Sequence, residues 1–549
     1  MRELEICGTI KNTDKGVNKY MEKRKTLPDS KVKEVGKKAR SKMFGVIYSR
    51  TAIVILLLLL EIGFFLYLIS GASKNTNYLY GLSIIMTVIT IIYIINEEGN
   101  PSFKLTWIIF VAAFPLAGVA FYLYTKLELT RKILKNRMND LKMETEPYMR
   151  QNDNVVRAMR SSRLANVNLS YFLYKQVGFP TYGNTKAEYF PLGEEKFAAM
   201  IEELKKAEKF IFMEYFIVEE GIMWDSILEI LKEKAEQGVE VRFMYDGMCS
   251  VKLLPYDYPK TLRKMGIKCK QFEKITPVLS TSQNNRDHRK ICVIDGKVAF
   301  TGGVNLADEY INKKERFGHW KDVAIMIQGD AVQSFTMMFL QMWNVTERVP
   351  ENYEKYLTPK AKGFRREEGY MIPYGDSPYD DENVGAEVYF HILNHAKKYV
   401  HIMTPYLILD NDMIEALKRA AKSGIEVQII MPGIPDKKYA FYLAKTYYEE
   451  LIMSGVQIFE YTPGFVHAKV FTSDDDTATV GTVNLDYRSL FLHFECGVFI
   501  YHNSVVYDIE RDFQRTKERS HKVTLMEVRN RTLFVKIYGQ LLKLIAPLM

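Results

Sequence analysis

The sequence predicts an α/β protein built from two related halves behind an apolar N-terminal region. Three observations predict it: a polar pattern that occurs twice, strand-like and helix-like text repeated around each copy, and three long apolar runs confined to the first quarter of the 549 residues.

The polar pattern is His288-x-Lys290-x4-Asp295-x6-Gly302-Gly303-x-Asn305, and 179 residues later His467-x-Lys469-x4-Asp474-x6-Gly481-Thr482-x-Asn484. A single match of this kind has a chance on the order of 10^-5 in a chain of this length, so two of them mark a duplication. Both copies open in apolar, β-rich text, where residues i and i+2 point to the same face of a strand, so each His projects together with its Lys. Small residues then follow a turn, and they let backbone N–H groups approach an anion. Asn305 and Asn484 lie where a side-chain amide can bond a phosphoryl oxygen. Each copy thus brings an imidazole, an ammonium and an amide, a set suited to a phosphodiester.

In chain order, residues 1–43 form a basic tail; residues 1–50 carry fourteen Lys and Arg against six Asp and Glu. Residues 44–124 hold the apolar runs Ala52–Ile69, Leu79–Ile95 and Leu105–Tyr124. Each approaches the roughly 20 residues that cross a bilayer, and they are too long and too numerous for a cleaved signal peptide. They predict two or three transmembrane helices and a multi-pass membrane protein. Glu61 interrupts the first run, and an intramembrane carboxylate of this kind is expected to face another helix or sit protonated.

The positive-inside rule places the tail in the cytoplasm. Lys126–Lys142, beyond the third run, is basic as well, and three full spans would set these flanks on opposite sides. Either the first run does not fully span, leaving a two-helix hairpin with the rest of the chain in the cytoplasm, which is the preferred reading, or the rest lies on the outer face despite its basic flank.

Residues 125–179 read as a connector without recognisable chemistry. The first half is placed at 180–345 and the second at 384–549, because Ala207-Glu-Lys-Phe-Ile-Phe-Met and Gly238-Val-Glu-Val have counterparts in Ala396-Lys-Lys-Tyr-Val-His-Ile and Gly424-Ile-Glu-Val. Helices between buried strands argue for a parallel or mixed sheet in each half. Two long copies are too few and too large for a solenoid. Residues 346–383, rich in charge, Tyr and Pro, read as a linker with a loop near the site. At the end, Arg529–Ile545 sets apolar side chains at helical spacing between basic ones, an amphipathic helix that fits either the headgroups or the protein surface.

The doubled motif resembles the HKD motif of the phospholipase D superfamily, and the third apolar run resembles the second membrane helix of bacterial cardiolipin synthases. The resemblance implies one active site where the halves meet, with catalytic residues His288, Lys290, Asp295, His467, Lys469 and Asp474. It also implies a histidine nucleophile, assigned to His288 by analogy, with His467 as general acid and base. The spacing alone does not say which imidazole plays which part. Asp295 and Asp474 read from their residues as turn holders rather than proton carriers. Asp322 and Glu495 follow the two motifs at comparable places, where the family has an acid that orients a catalytic imidazole. His319 and His493 belong to neither motif and read as pocket walls or surface residues.

The five cysteines show no metal-ligand or disulfide spacing and read mostly as core thiols. No carboxylate cluster suggests magnesium, so no metal and no cofactor are expected. The net charge of +9 and the basic tail suit an anionic lipid surface, and the adjacent apolar runs favour lipid over nucleic acid as partner. The implied reaction is a transfer of phosphatidyl from one phosphatidylglycerol to another, releasing glycerol. A membrane phospholipase D, or another phosphatidyltransferase using water or a different alcohol, is the alternative; an idle scaffold would require a broken motif, and a nuclease would leave the apolar runs unexplained.

Overall fold

The structure is a computed structural model that describes residues 61–67, 76–126, 129–161, 166–249, 253–273, 285–357 and 369–548, with residues 59 and 70. The basic tail, most of the first apolar run and Cys7 lie outside the described residues.

The duplication is visible strand by strand. The first half contributes β1 (Thr185–Phe190), β2 (Phe210–Tyr215), β3 (Glu240–Asp246), β4 (Lys268–Phe272), β5 (Ile291–Ile294), β6 (Val298–Gly302), β7 (His319–Lys321) and β8 (Ala324–Gly329). The second contributes β9 (Tyr370–Asp376), β10 (Tyr399–Met403), β11 (Glu426–Pro432), β12 (Gln457–Tyr461), β13 (Gly464–Val466), β14 (Val470–Ser473), β15 (Thr477–Gly481), β16 (Glu495–Tyr501) and β17 (Ser520–Lys522). The sheet orders are β1-β8-β6-β5-β2-β3-β4 and, read from its far edge, β9-β16-β15-β14-β10-β11-β12-β17. Apart from the added β17, the two orders match.

Each sheet is mixed. β2, β3 and β4 run parallel, as β10, β11 and β12 do, while β5 and β14 join antiparallel. Central strands are buried along their whole length because helices cover both faces; all six residues of β2 are buried, Glu214 among them and paired with Arg289.

Strand β9 corrects the expected linker 346–383, since Tyr370–Asp376 is the edge strand paired with β16. Pro373 and Gly375 concealed it in the sequence, yet an edge position tolerates a proline because one side of the strand needs no ladder partner. The expected connector 125–179 is also more than a tether. Met138, Met149, Met159, Leu169 and Leu173 join the same core cluster as strands of both sheets.

The apolar region contains α1 (Thr76–Asn96), α2 (Pro101–Ala113) and α3 (Pro115–Lys126). Among the described residues only Tyr78–Asn96 is a helix long and apolar enough to cross a membrane. The third run, expected as one span, is broken at Phe114, whose φ of −131° and ψ of 76° leave the helical region. Pro115 explains the break, because it disfavours helical geometry at the preceding residue and lacks the N–H for the helical ladder.

The two arms then fold against each other. Trp107 meets Phe121 at 5.9 Å and Tyr122 at 5.3 Å between ring centroids. A Cβ on Gly118 would lie 2.8 Å from the Cα of Val111, so only glycine permits this approach. Each arm, at about 1.5 Å per residue, reaches only about 20 Å, short of the roughly 30 Å hydrocarbon core. At the turn, Glu61 accepts a hydrogen bond from Ala117 N–H at 2.8 Å. A carboxylate at the electropositive start of α3 agrees with the expectation that Glu61 faces another helix.

The hairpin is anchored to the second half. Asn100 caps α2 by accepting from Ser102 N–H at 2.9 Å and donates its Nδ2 to Asp410 at 2.8 Å. Asp410 is itself the cap of helix α4 (Asn411–Lys422), accepting from Met413 N–H. Phe103 packs edge-on against Tyr487 and Phe491 of the short helix α5 (Tyr487–Phe491). The C-terminal helix α6 (Leu533–Ile545) buries Gly539 and Leu542, while Leu533, Phe534, Ile537, Leu541 and Leu544 are exposed.

Candidate active site

The two motif histidines are held by main-chain contacts that cross between the halves. His288 N–H donates to Phe494 O at 2.9 Å, and Phe494 N–H donates to Arg286 O at 2.8 Å. Across the pseudo-twofold, β13 pairs parallel with β7, and His467 N–H donates to Lys321 O at 2.7 Å. These short parallel pairings bring the residue just after Phe494 to one imidazole and the residue just after Lys321 to the other.

The acids therefore serve the opposite half. Glu495, which follows the second motif, places both oxygens 2.9 Å from His288 Nδ1. Asp322, which follows the first motif, lies 2.6 Å from His467 Nδ1. Both carboxyl groups are fully buried. Such a contact fixes the proton on Nδ1 and leaves Nε2 as the working nitrogen.

Lys290 donates to His288 O and Lys469 donates to His467 O. Lys469 Nζ also lies 2.9 Å from His467 Nδ1. One ring nitrogen cannot donate to Asp322 and accept from an ammonium together. The shorter carboxylate contact takes the proton, and the main-chain oxygen takes the lysine.

Burial shapes the charges. It pushes the Lys469 ammonium down to about 7 and that of Lys290 down to about 8. His288 falls well below the ordinary imidazole value, first through burial and then through Lys290 and Lys469. His467 is lowered to about 4 by burial and Lys469, with Asp322 opposing. The centre thus holds neutral imidazoles beside strained cations, an environment that gains from a bound anion.

The remaining predicted residues divide. Asp295 accepts from the N–H groups of Glu208, Lys209 and Phe210 at 2.7–2.9 Å, and Asp474 from Lys397, Lys398 and Tyr399 at 2.7–3.1 Å. Each carboxylate ties the turn after β5 or β14 to the start of β2 or β10, at the far end of a strand from its motif histidine. Their φ angles, 53° and 56°, lie in the left-handed region that Asp tolerates. Neither reaches the histidines, which corrects their place among the catalytic residues and agrees with their reading as turn holders.

Asn305 spends its Oδ1 on Ile217 N–H at 2.9 Å and one N–H on Tyr310 Oη at 2.8 Å. It positions Tyr310, whose ring meets His467 edge-on at 5.4 Å. Asn484 is buried, and its Oδ1 has no hydrogen-bond partner among the described residues.

Sequence reasoning left out the aromatic walls: Phe216 beside His288 at 4.9 Å, and Trp320 and Phe465 beside His467 at 5.5 and 5.8 Å. Aligning the two halves around their acids would have singled out Trp320 and His493. His493 is a wall, 5.6 Å from the His288 ring, whereas His319 bonds Tyr461 Oη at 3.1 Å within the cross-half pairing. Cys249, Cys269, Cys292 and Cys496 are buried free thiols.

Among the described residues, His288, His493 and Glu495 bring ligand-type atoms within 4.8 Å of one another. Glu495 is already engaged by His288 and the Thr482 hydroxyl. Lys290, Lys469, Lys437 and Arg488 all act on these imidazoles, a field that suits an anion better than a cation.

Comparison with known proteins agrees with this geometry. The family model described as "Cardiolipin synthase, PLD-like domain" matches residues 200–343 and 389–517, and "Phospholipase_D-nuclease N-terminal" matches residues 85–125. The chain is 50% identical to an uncharacterized protein of Streptococcus mutans over 84% of this chain and 99% of that one. It is 33% identical to a cardiolipin synthase of Geobacillus sp. (strain WCH70) and 31% identical to one of Halalkalibacterium halodurans, each over 91% of this chain and 100% of the relative. The fold is similar to that of a phosphatidylserine synthase of Haemophilus influenzae, with a TM-score of 0.52 at 15% identity over 66% of this chain and 93% of that structure. The paired motifs, the shared sheet order and these relatives together show that the chain belongs to the cardiolipin synthase family of the phospholipase D superfamily.

Proposed function

We propose that the protein makes cardiolipin and glycerol from two molecules of phosphatidylglycerol through a phosphohistidine on His288. The observation that carries this reading is the crossed pair of buried His–acid contacts, Glu495 on His288 and Asp322 on His467, with the charges of Lys290 and Lys469 acting on both imidazoles.

Phosphatidylglycerol places its phosphodiester between Lys290 and Lys469, whose ammonium groups offset charge on the phosphoryl oxygens. Neutral His288 Nε2 forms a bond to phosphorus as the bond to the glycerol oxygen breaks. His467, which regains a proton once the anion offsets the nearby ammonium charges, gives that proton to the leaving alkoxide. The hydroxyl of the second phosphatidylglycerol then loses its proton to His467 as its oxygen replaces His288 on phosphorus. Both imidazoles end as they began.

The membrane part supports a substrate drawn from a bilayer. Tyr122 Oη donates to Glu97 at 2.7 Å, so the end of α1 and the end of α3 lie together. With α1 spanning and α2–α3 entering and returning on one face, Asn100 and Lys126 share a face. A spanning first run then puts both basic flanks in the cytoplasm, in keeping with the positive-inside rule. The exposed apolar stripe of α6 adjoins this region, since Thr106 Oγ donates to Leu544 O at 3.4 Å, and it suits burial among headgroups.

Purified protein supplied with phosphatidylglycerol alone, without nucleotide-activated lipid or added metal, is expected to yield cardiolipin and glycerol by mass spectrometry. Phosphatidic acid as the main product would reject synthesis in favour of hydrolysis. Protease cleavage of the catalytic part from outside intact spheroplasts would reject the cytoplasmic placement.

A further inference from the structure

The two halves match in strand order but not in what surrounds their acids. Two residues before Asp322 stands Trp320, 5.5 Å from His467; two residues before Glu495 stands His493, 5.6 Å from His288. One motif imidazole is walled by an indole, the other by a second imidazole. His493 is 9% exposed, and its Nε2 accepts from Arg488 Nε at 3.1 Å. That contact fixes the His493 proton on Nδ1. Nδ1 lies 3.8 Å from Glu495 Oε1 and, among the described residues, has no hydrogen-bond partner.

Glu495 and Asp322 each take one donor besides their histidine, but of different kinds. Besides His288, Glu495 accepts from the Thr482 hydroxyl, whereas the equivalent residue of the first motif is Gly303, which has no hydroxyl. Asp322 instead receives His467 at 2.6 Å and its neighbour Val323 N–H at 2.8 Å. The gap between His493 and Glu495 is one small side-chain movement from a hydrogen bond.

We propose that His493, oriented by Arg488, is a positioning residue that donates to Glu495 during the reaction and so makes His288 the histidine that carries and releases the phosphatidyl group. The proposal rests on the transfer mechanism above. A phosphorylated imidazole leaves phosphorus readily only while its other nitrogen keeps its proton. A carboxylate receiving bonds from Thr482 and His493 binds that proton less strongly, so the proton stays on His288 Nδ1. When the acceptor hydroxyl attacks, the phosphorus–Nε2 bond breaks and His288 departs neutral with Nδ1 still protonated; the hydroxyl proton passes to His467. Asp322, which faces the Trp320 wall where Glu495 faces His493, gains no such third donor from an imidazole.

The test uses the full chain in detergent micelles with phosphatidylglycerol labelled at phosphorus, quenched at alkaline pH. His493→Trp makes the wall match that of the first half, and His493→Gln keeps an acceptor for Arg488 and a donor for Glu495. In His493→Trp the labelled intermediate on His288 is expected to break down about ten- to hundred-fold more slowly, the effect of one lost bond to a charged group. KM should stay within about two-fold, and His493→Gln should break down within about three-fold of the parent.

Breakdown at the parental rate in both variants would overturn the proposal. So would equal slowing in both with unchanged thermal melting, or label on His467 in the parent. A parent that forms neither phosphohistidine nor cardiolipin would overturn the underlying function instead. If His493→Trp fails to melt cooperatively, the Gln variant and His493→Leu decide, with Leu expected to slow and Gln to turn over.

Discussion

Replacing Asp322 with Asn should weaken both proton transfers through His467 and leave bond formation between His288 and phosphorus nearly intact. Asp322 is fully buried 2.6 Å from His467 Nδ1, so the substitution removes a charge from the imidazole without changing the shape of the site much. A charge-assisted hydrogen bond of this kind contributes about 1.5–3 kcal/mol, and the proton donation it supports is typically about 10² to 10⁴ in rate. Turnover of phosphatidylglycerol should therefore fall by about 10²- to 10³-fold, which corresponds to roughly 3–4 kcal/mol in the barrier. A phosphatidyl ester of p-nitrophenol offers a leaving group that needs no proton. With it, the first-turnover burst of nitrophenolate from Asp322→Asn should remain within about ten-fold of the parent. Glu495→Gln, which perturbs His288, should lose both the nitrophenolate burst and the turnover of phosphatidylglycerol. Stopped-flow absorbance reads the burst. A burst preserved in Glu495→Gln and lost in Asp322→Asn would reverse the roles of the histidines. Equal losses in both would show that the crossed acids only hold the fold.

Three further outcomes are expected. Gly303→Ala would set a Cβ 2.0 Å from Asp322 Oδ1, forcing the acid off His467, so turnover should fall by about 10² although no reacting atom is touched; activity within about three-fold of the parent would show that the site yields. Asp295→Ala removes the acceptor of three N–H bonds and puts Ala at a φ of 53°, so stability should fall by about 2–4 kcal/mol in denaturant titration while turnover per folded molecule changes little. Lys469, at about 7, and Lys290, at about 8, lose their charge as pH rises, so kcat/KM should decline on the alkaline side through that window. In Lys469→Arg, whose charge persists, the lower part of that decline should disappear from whatever activity remains; an unchanged profile would remove Lys469 from phosphate binding.

Much of the site was legible because its signal is local. His288 with Lys290, and His467 with Lys469, each lie two residues apart in extended text, so their shared face follows from strand geometry. The matching positions of Asp322 and Glu495 were visible for the same reason. Which acid meets which histidine was not, because the crossing depends on main-chain pairing between β7 and β13 and on the Asp287–Phe494 bridge, contacts between residues far apart in sequence. Asn305 illustrates the opposite limit: its residue type suited phosphate, and only the position of Tyr310 shows where its amide is engaged.

The sequence by itself determined the duplication, the α/β class, the doubled histidine–lysine pair and the apolar character of the first quarter, since each is written in residue type and short-range period. Tertiary structure decided what those signals leave open. Apolarity does not distinguish a span from a hairpin, and the turn at Phe114–Pro115 with Gly118 against Val111 makes the third run two arms. Pseudo-symmetry does not distinguish two histidines, whereas the surroundings of their acids differ: Thr482 donates to Glu495 where the first motif has Gly303, and His493 stands where the first half has Trp320. In the first case the reason is packing, since apolar character does not encode the close approach that Pro115 and Gly118 permit; in the second it is distance, since main-chain pairing brings Glu495 to His288 across 207 residues.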